Sequence, residues 1–118
     1  MRYLFLVSIL FLFSCKKSET ELTAQEIIDK TIVSSGADKV SNSKITFQFR
    51  NIKYLATRKD GKFLYSKEFD SINDVLTNTG FQRFINGKEA EIDDDLVTKY
   101  SNSINSVHYF SVLPYGLN

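Results

Sequence analysis

The chain has 118 residues, and its 15 Lys or Arg against 14 Asp or Glu leave a net charge of +1, the size and balance of one small domain. That balance excludes a general polyanion binder, whose phosphate contacts need a strongly basic surface, so no nucleic-acid partner is expected. Hydrophobic residues at 42% and aromatics at 14%, with Phe at 10, Tyr at 6 and Trp at 0, exclude a disordered chain and can supply a packed core.

Residues 1–14 separate from the rest. Arg2 gives a short positive start, Tyr3 to Phe13 are apolar except for Ser8, and Leu12-Phe13-Ser14-Cys15 follows. The apolar run reaches about 16 Å as a helix, roughly half of a bilayer core, which suits a cleavable signal better than a span. Leu three before the Cys and Ser just before it resemble the lipobox of bacterial lipoproteins, in which the chain is cut ahead of the Cys and the Cys is acylated. Phe13 departs from the small or aliphatic residue usual there, and an ordinary secretory signal with a chance Cys is the alternative. Cys15 is the only cysteine, so no intrachain disulfide can form, and lipidation would consume an otherwise exposed thiol. Two or more acyl chains hold a protein stably on a membrane. Cleavage removes Arg2 alone among the charges and leaves 14 basic and 14 acidic residues. Lys16-Lys17 beside the anchor either meet anionic headgroups or form a solvated flank. Residues 15–22 then read as lipidated Cys and tether, and 23–118 as a partial domain.

Thr23 and Glu26 form a capping box bracketed by a Leu22 to Ile27 hydrophobic staple, so a helix is expected over about 24–35. Ala24, Ile27, Ile28, Thr31 and Ile32 share one face, Glu26 and Lys30 form an i,i+4 pair, and Gly36 caps the end. From Lys44 the period changes to two, with Ile45, Phe47 and Phe49 alternating with polar residues. After a break near Asn51, strands over about 53–59 and 62–69 meet through Asp60-Gly61, a favoured hairpin turn. Pairing Lys59 with Lys62 puts Ile52, Tyr54, Ala56, Phe63, Tyr65 and Phe69 on one face and Lys53 opposite Glu68 on the other. Residues 74–78 read as a shorter strand, and 81–85 joins 88–92 through Asn86-Gly87, with Phe81, Ile85, Ala90 and Ile92 sharing a face.

Asp93-Asp94-Asp95 introduces a second helix, because carboxylates cap its free amides and suit its dipole. Leu96, Val97, Tyr100, Ile104 and Val107 form its apolar stripe, with His108 at the rim. Past His108, Tyr109, Phe110, Val112 and Leu113 point all round the axis and Pro114 stops the helix, so a further covering element is expected and the chain reads as the front part of a longer protein. The fold class is α+β: a twisted antiparallel, half-barrel-like sheet with helices on one face and its C-terminal strands missing.

Ala24 to Gly36, Ile45-Thr46-Phe47-Gln48-Phe49-Arg50, Arg58 with Asp60 to Tyr65, Asp74 to Phe81, and Ser103 to Phe110 running into Leu113-Pro114-Tyr115-Gly116-Leu117 resemble an uncharacterised family of Bacteroidota lipoproteins similar to the lipoprotein-localisation carriers (LolA/LolB-like). The resemblance covers nearly all of the mature chain. It implies a half-barrel whose concave face, closed by helices, holds acyl chains, in members that continue past the position of Asn118.

The residues that carry chemistry elsewhere are sparse. A nucleophilic enzyme needs a nucleophile, a base and an orienting group, yet Cys15 is the anchor and His108, the only His, has no acid beside it in sequence and reads as a packing residue. The three adjacent Asp lack the alternation of a Ca loop, and no zinc spacing or phosphate loop is present, so neither metal nor cofactor is expected. The ring-rich sheet face remains. Phe47, Phe49, Tyr54, Phe63, Tyr65 and Phe81 either pack beneath the helices or line a cavity for an apolar ligand. The expected function is a non-catalytic, membrane-anchored envelope lipoprotein that binds a lipophilic molecule or assists envelope maintenance, on the periplasmic side or at the outer membrane. A structural or protein-interaction lipoprotein with a solid core is the alternative, and a lipoprotein enzyme the third.

Overall fold

A computed structural model describes residues 20–117, so the signal segment and Cys15 lie outside the described residues. The elements run α1 (Ala24–Ser35), a 3-10 helix (Ala37–Asn42), β1 (Ser43–Phe49), β2 (Ile52–Lys59), β3 (Lys62–Phe69), β4 (Ile72–Thr77), β5 (Gly80–Ile85), β6 (Lys88–Ala90) and α2 (Asp94–Phe110). The six strands lie in sequence order, each antiparallel to the next, in an open sheet. The α+β class is as expected. β4 starts two residues earlier than the 74–78 expected of it, and β6 stops at Ala90 rather than running to Ile92.

Tight turns set the ladder. Lys59 pairs with Lys62 and Lys53 with Glu68, as the Asp60-Gly61 turn requires. Asp60 and Gly61 both take positive φ, 51° and 74°, and so do Asn86 and Gly87, 51° and 76°, the backbone that matches the strand twist in a two-residue hairpin. The break near Asn51 is a third such turn, in which Arg50 and Asn51 hold φ of 51° and 62° without a glycine. Turns at the same end of the sheet are tied together. Asn78 accepts the Phe63 N–H at 2.7 Å and donates to the Gly61 carbonyl at 3.2 Å, while Asn86 N–H reaches the Ser71 carbonyl at 2.9 Å.

The registers assemble the covered face row by row. Ile45, Ala56, Tyr65, Leu76 and Phe81 lie side by side across five strands, and Phe47, Tyr54, Lys67, Asp74, Arg83 and Ala90 across six. α2 lies over β3 to β5, and the 3-10 helix lies over β2. Ile104 and His108 are the fully buried residues of α2, so His108 belongs to the centre of the buried stripe rather than to its rim. The helix starts at Asp93, whose carbonyl accepts the Leu96 and Val97 N–H groups at 2.9 and 3.0 Å. Its carboxylate makes no capping hydrogen bond. Asp94 and Asp95 act there through the dipole, which favours negative charge at a helix start.

At the other end of α2, Val112 is buried, whereas Tyr109, Phe110 and Leu113 remain exposed. The need for cover argued from four residues therefore applies to three.

α1 keeps its capping box. Thr23 Oγ1 accepts the Glu26 N–H at 3.2 Å, and Glu26 Oε2 accepts the Thr23 N–H at 2.8 Å and the Thr23 hydroxyl at 2.9 Å, the two contacts that hold the Glu26 carboxyl below its usual range. The Gly36 N–H closes the helix on the carbonyls of Ile32 and Val33. The Glu26–Lys30 ion pair is not formed, because that carboxylate is already engaged by Thr23. α1 abuts the 3-10 helix, and none of its residues is buried.

Candidate functional site

Strand parity carries Phe47 and Phe49 onto the covered face of β1, and helical spacing brings Val107 and Phe110 to the same side of α2. Between them runs a groove of ≈470 Å³ lined by these four residues with Gln48, Ser106 and Ser111, within the range of small-molecule sites. Among the described residues, no charged side chain lines it. Phe49 is 49% exposed and Phe110 69%, so both walls present apolar rings to solvent. Arg50, next to the groove, places its guanidinium 5.1 Å from the Phe49 ring centroid, a cation–π contact that holds the ring at the edge.

The floor behind the groove is an aromatic cluster around His108. Phe47 stacks on Tyr54 at 5.1 Å, and His108 packs edge-on against Phe47 and Tyr54 at 5.8 and 5.7 Å and stacks on Tyr65 at 4.6 Å. A carbonyl only accepts, so the 3.3 Å contact of His108 Nε2 with the Ser66 carbonyl assigns the proton to Nε2. Nδ1 is then a buried acceptor without a donor among the described residues. Burial holds the His108 pKa below the ordinary histidine value, the Ser66 carbonyl partly offsets this, and Arg58 lowers it further. Burial also raises the Tyr54 pKa, with Arg50 opposing.

The six rings that the sequence groups together divide among three places. Phe47 and Phe49 line the groove. Tyr54 is buried beneath it, and Phe63 stacks on Tyr65 at 4.5 Å beside a second, smaller pocket. Phe81 sits across the sheet, 6.1 Å from Tyr100. Among the described residues, no one pocket brings all six together; His108 from α2 packs against Phe47, Tyr54 and Tyr65. Cys15, the expected lipid attachment point, lies outside the described residues.

Sequence reasoning missed the helix wall of the groove and charged residues on the covered face. Arg58, Lys67, Asp74 and Arg83 share parity with Tyr54, Tyr65 and Phe81, and that parity was the available signal. Among the described residues, no three His, Cys, Asp or Glu side chains gather as metal ligands, and no helix is long and apolar enough to cross a membrane. No protein-family model matches the chain, and no similarity to a curated protein or to a solved structure was found.

Proposed function

We propose that the protein is a membrane-anchored envelope lipoprotein that binds a lipophilic molecule in the groove between β1 and the end of α2, without catalysing a reaction on it. The observation that carries the reading is the pair of apolar walls, Phe49 and Phe110, left in water on either side of an uncharged cleft. Hydrocarbon entering such a cleft gains about 0.8 kcal/mol for each methylene removed from water, while the polar Gln48, Ser106 and Ser111 suit a ligand with one wet edge. The anchor rests on Leu12-Phe13-Ser14-Cys15 and the short apolar run before it, and the resemblance to the lipoprotein-localisation carriers agrees with an acyl-chain ligand.

Titration of the purified chain with a fluorescent acyl probe tests the groove. Saturable uptake, weakened in Phe49→Ala and Phe110→Ala while both variants stay folded at the temperature of the titration, is the expected result. Absence of uptake of any lipophilic probe would move the assignment to a protein-interaction lipoprotein, the reading favoured by α1, none of whose residues is buried. The anchor is tested separately by acyl labelling in the native host, which Cys15→Ala should abolish.

A further inference from the structure

Arg58 projects from β2 onto the covered face and is only 6% exposed. A guanidinium does not shed its charge on burial, so enclosing one is costly unless an anion faces it. The other inward-facing arginine, Arg83, meets that condition through two contacts of 2.6 and 2.7 Å to Asp74. Arg58 does not. Among the described residues no carboxylate lies within ion-pair distance of it. Its Nε donates to the Tyr65 hydroxyl at 3.1 Å, a neutral acceptor, and its Nη1 is enclosed without any hydrogen-bond partner among the described residues.

Next to this group is a pocket of ≈150 Å³, bounded by the β2–β3 turn and the segment after α2 and lined by Arg58, Lys62, Ser41, Phe63, Tyr65 and Tyr115. Arg58 and the hydroxyl-bearing residues Ser41, Tyr65 and Tyr115 line it, Lys62 borders it at the turn with its side chain on the opposite face by strand alternation, and no acidic residue is among them. Its volume is well below the roughly 300 Å³ at which drug-sized ligands begin to fit, so it matches one functional group rather than a chain or a nucleotide. None of its residues lines the apolar groove.

We propose that this pocket binds a compact oxyanion, the phosphoryl or carboxylate group of a ligand. Arg58 provides the buried counter-charge, and the hydroxyls of Ser41 and Tyr115 the neutral donors. Charge-assisted hydrogen bonds to an oxyanion are the strong class, and the anion would supply the counter-charge that Arg58 lacks. Such a group occurs both as a free anion and on a lipid headgroup.

Calorimetric titration of the full chain at constant ionic strength tests the site, with inorganic phosphate and acetate as free anions, dihexanoyl phosphatidic acid as the headgroup arm, and chloride as the blank. Saturable binding of at least one probe is expected. Tyr115→Phe, which removes one hydroxyl and keeps the ring, should weaken it about fivefold, the scale of one hydrogen bond. Arg58→Lys, which keeps the charge and loses the fork, should weaken it further, and Phe110→Ala should leave it unchanged. Equal affinity for phosphate and phosphatidic acid assigns the site to free anions, and tighter phosphatidic acid binding that is still sensitive to Tyr115→Phe assigns it to a headgroup. No saturable binding of any probe, or binding indifferent to both Tyr115→Phe and Arg58→Lys, would overturn the proposal. Because Phe110→Ala separates the two sites, loss of acyl-probe uptake and loss of anion binding are read independently.

Discussion

Asp74 and Arg83 face one another across the β4–β5 ladder in a two-point ion pair, Nε to Oδ1 at 2.6 Å and Nη2 to Oδ2 at 2.7 Å, with the guanidinium lying 3.8 Å from the Tyr100 ring centroid. The Asp74 side chain is almost wholly enclosed and that of Arg83 nearly so. Its hydrogen bond to Asp74 is the main reason the Arg83 pKa is raised above its ordinary value. Removing one member strands the other without solvent or counter-ion, so Arg83→Met should destabilise the fold by about 3 to 5 kcal/mol. The double change Asp74→Leu with Arg83→Met should recover most of that loss, since an apolar pair of similar volume carries no desolvation cost. Urea unfolding midpoints of the three proteins check this, and a double variant as unstable as the single one would show that the pair does more than neutralise itself.

His108 predicts a pH dependence of stability. Its folded-state pKa lies below the reference value of 6.5, so the unfolded chain binds the proton more readily than the folded one. The stabilising contribution is complete above about pH 6.5 and is lost as pH falls below it. Melting temperatures measured downward from pH 7.5 should therefore decline through that range, and His108→Phe, which keeps a ring among Phe47, Tyr54 and Tyr65, should flatten this part of the profile.

The Arg50-Asn51 turn is strained by its own residues. Both hold positive φ, which costs a side-chain-bearing residue about 1 to 2 kcal/mol, and less for Asn. The double change Arg50→Asn with Asn51→Gly installs the favoured turn pair but gives up the contact of Arg50 with Phe49, worth about 0.5 to 1 kcal/mol. A net gain of about 1 kcal/mol in thermal or urea unfolding is expected.

The aromatic residues of the sheet should divide by cost. Tyr54, almost fully enclosed, should lose about 3 to 5 kcal/mol on truncation to Ala. Phe49→Ala and Phe110→Ala remove rings that already meet water and should each cost less than about 1.5 kcal/mol. Equal losses at Tyr54 and Phe49 would mean that the groove is closed in solution.

Local chemistry determined much of this protein from the sequence alone. The Thr23–Glu26 box, Gly36, Asp60-Gly61 and Asn86-Gly87 act within a few residues of themselves, so helix limits, hairpin positions and the Lys59–Lys62 register followed directly from residue type and spacing. Strand alternation likewise separated Phe47, Tyr54 and Tyr65 from the opposite face. The tertiary structure alone decided which aromatic rings are core and which are wall, because that depends on where α2 crosses the sheet. His108 from α2 fills the space over Tyr54 and Tyr65, while Phe49 and Phe110 stay exposed on either side of the groove. It also decided the fates of two inward arginines that look alike in sequence: the β4–β5 register sets Asp74 opposite Arg83, and the β1–β2 register sets Ser43 beside Arg58. A partner across a sheet depends on the register of the ladder, and neither of these two turns carries the Asp-Gly or Asn-Gly pair that specifies one locally.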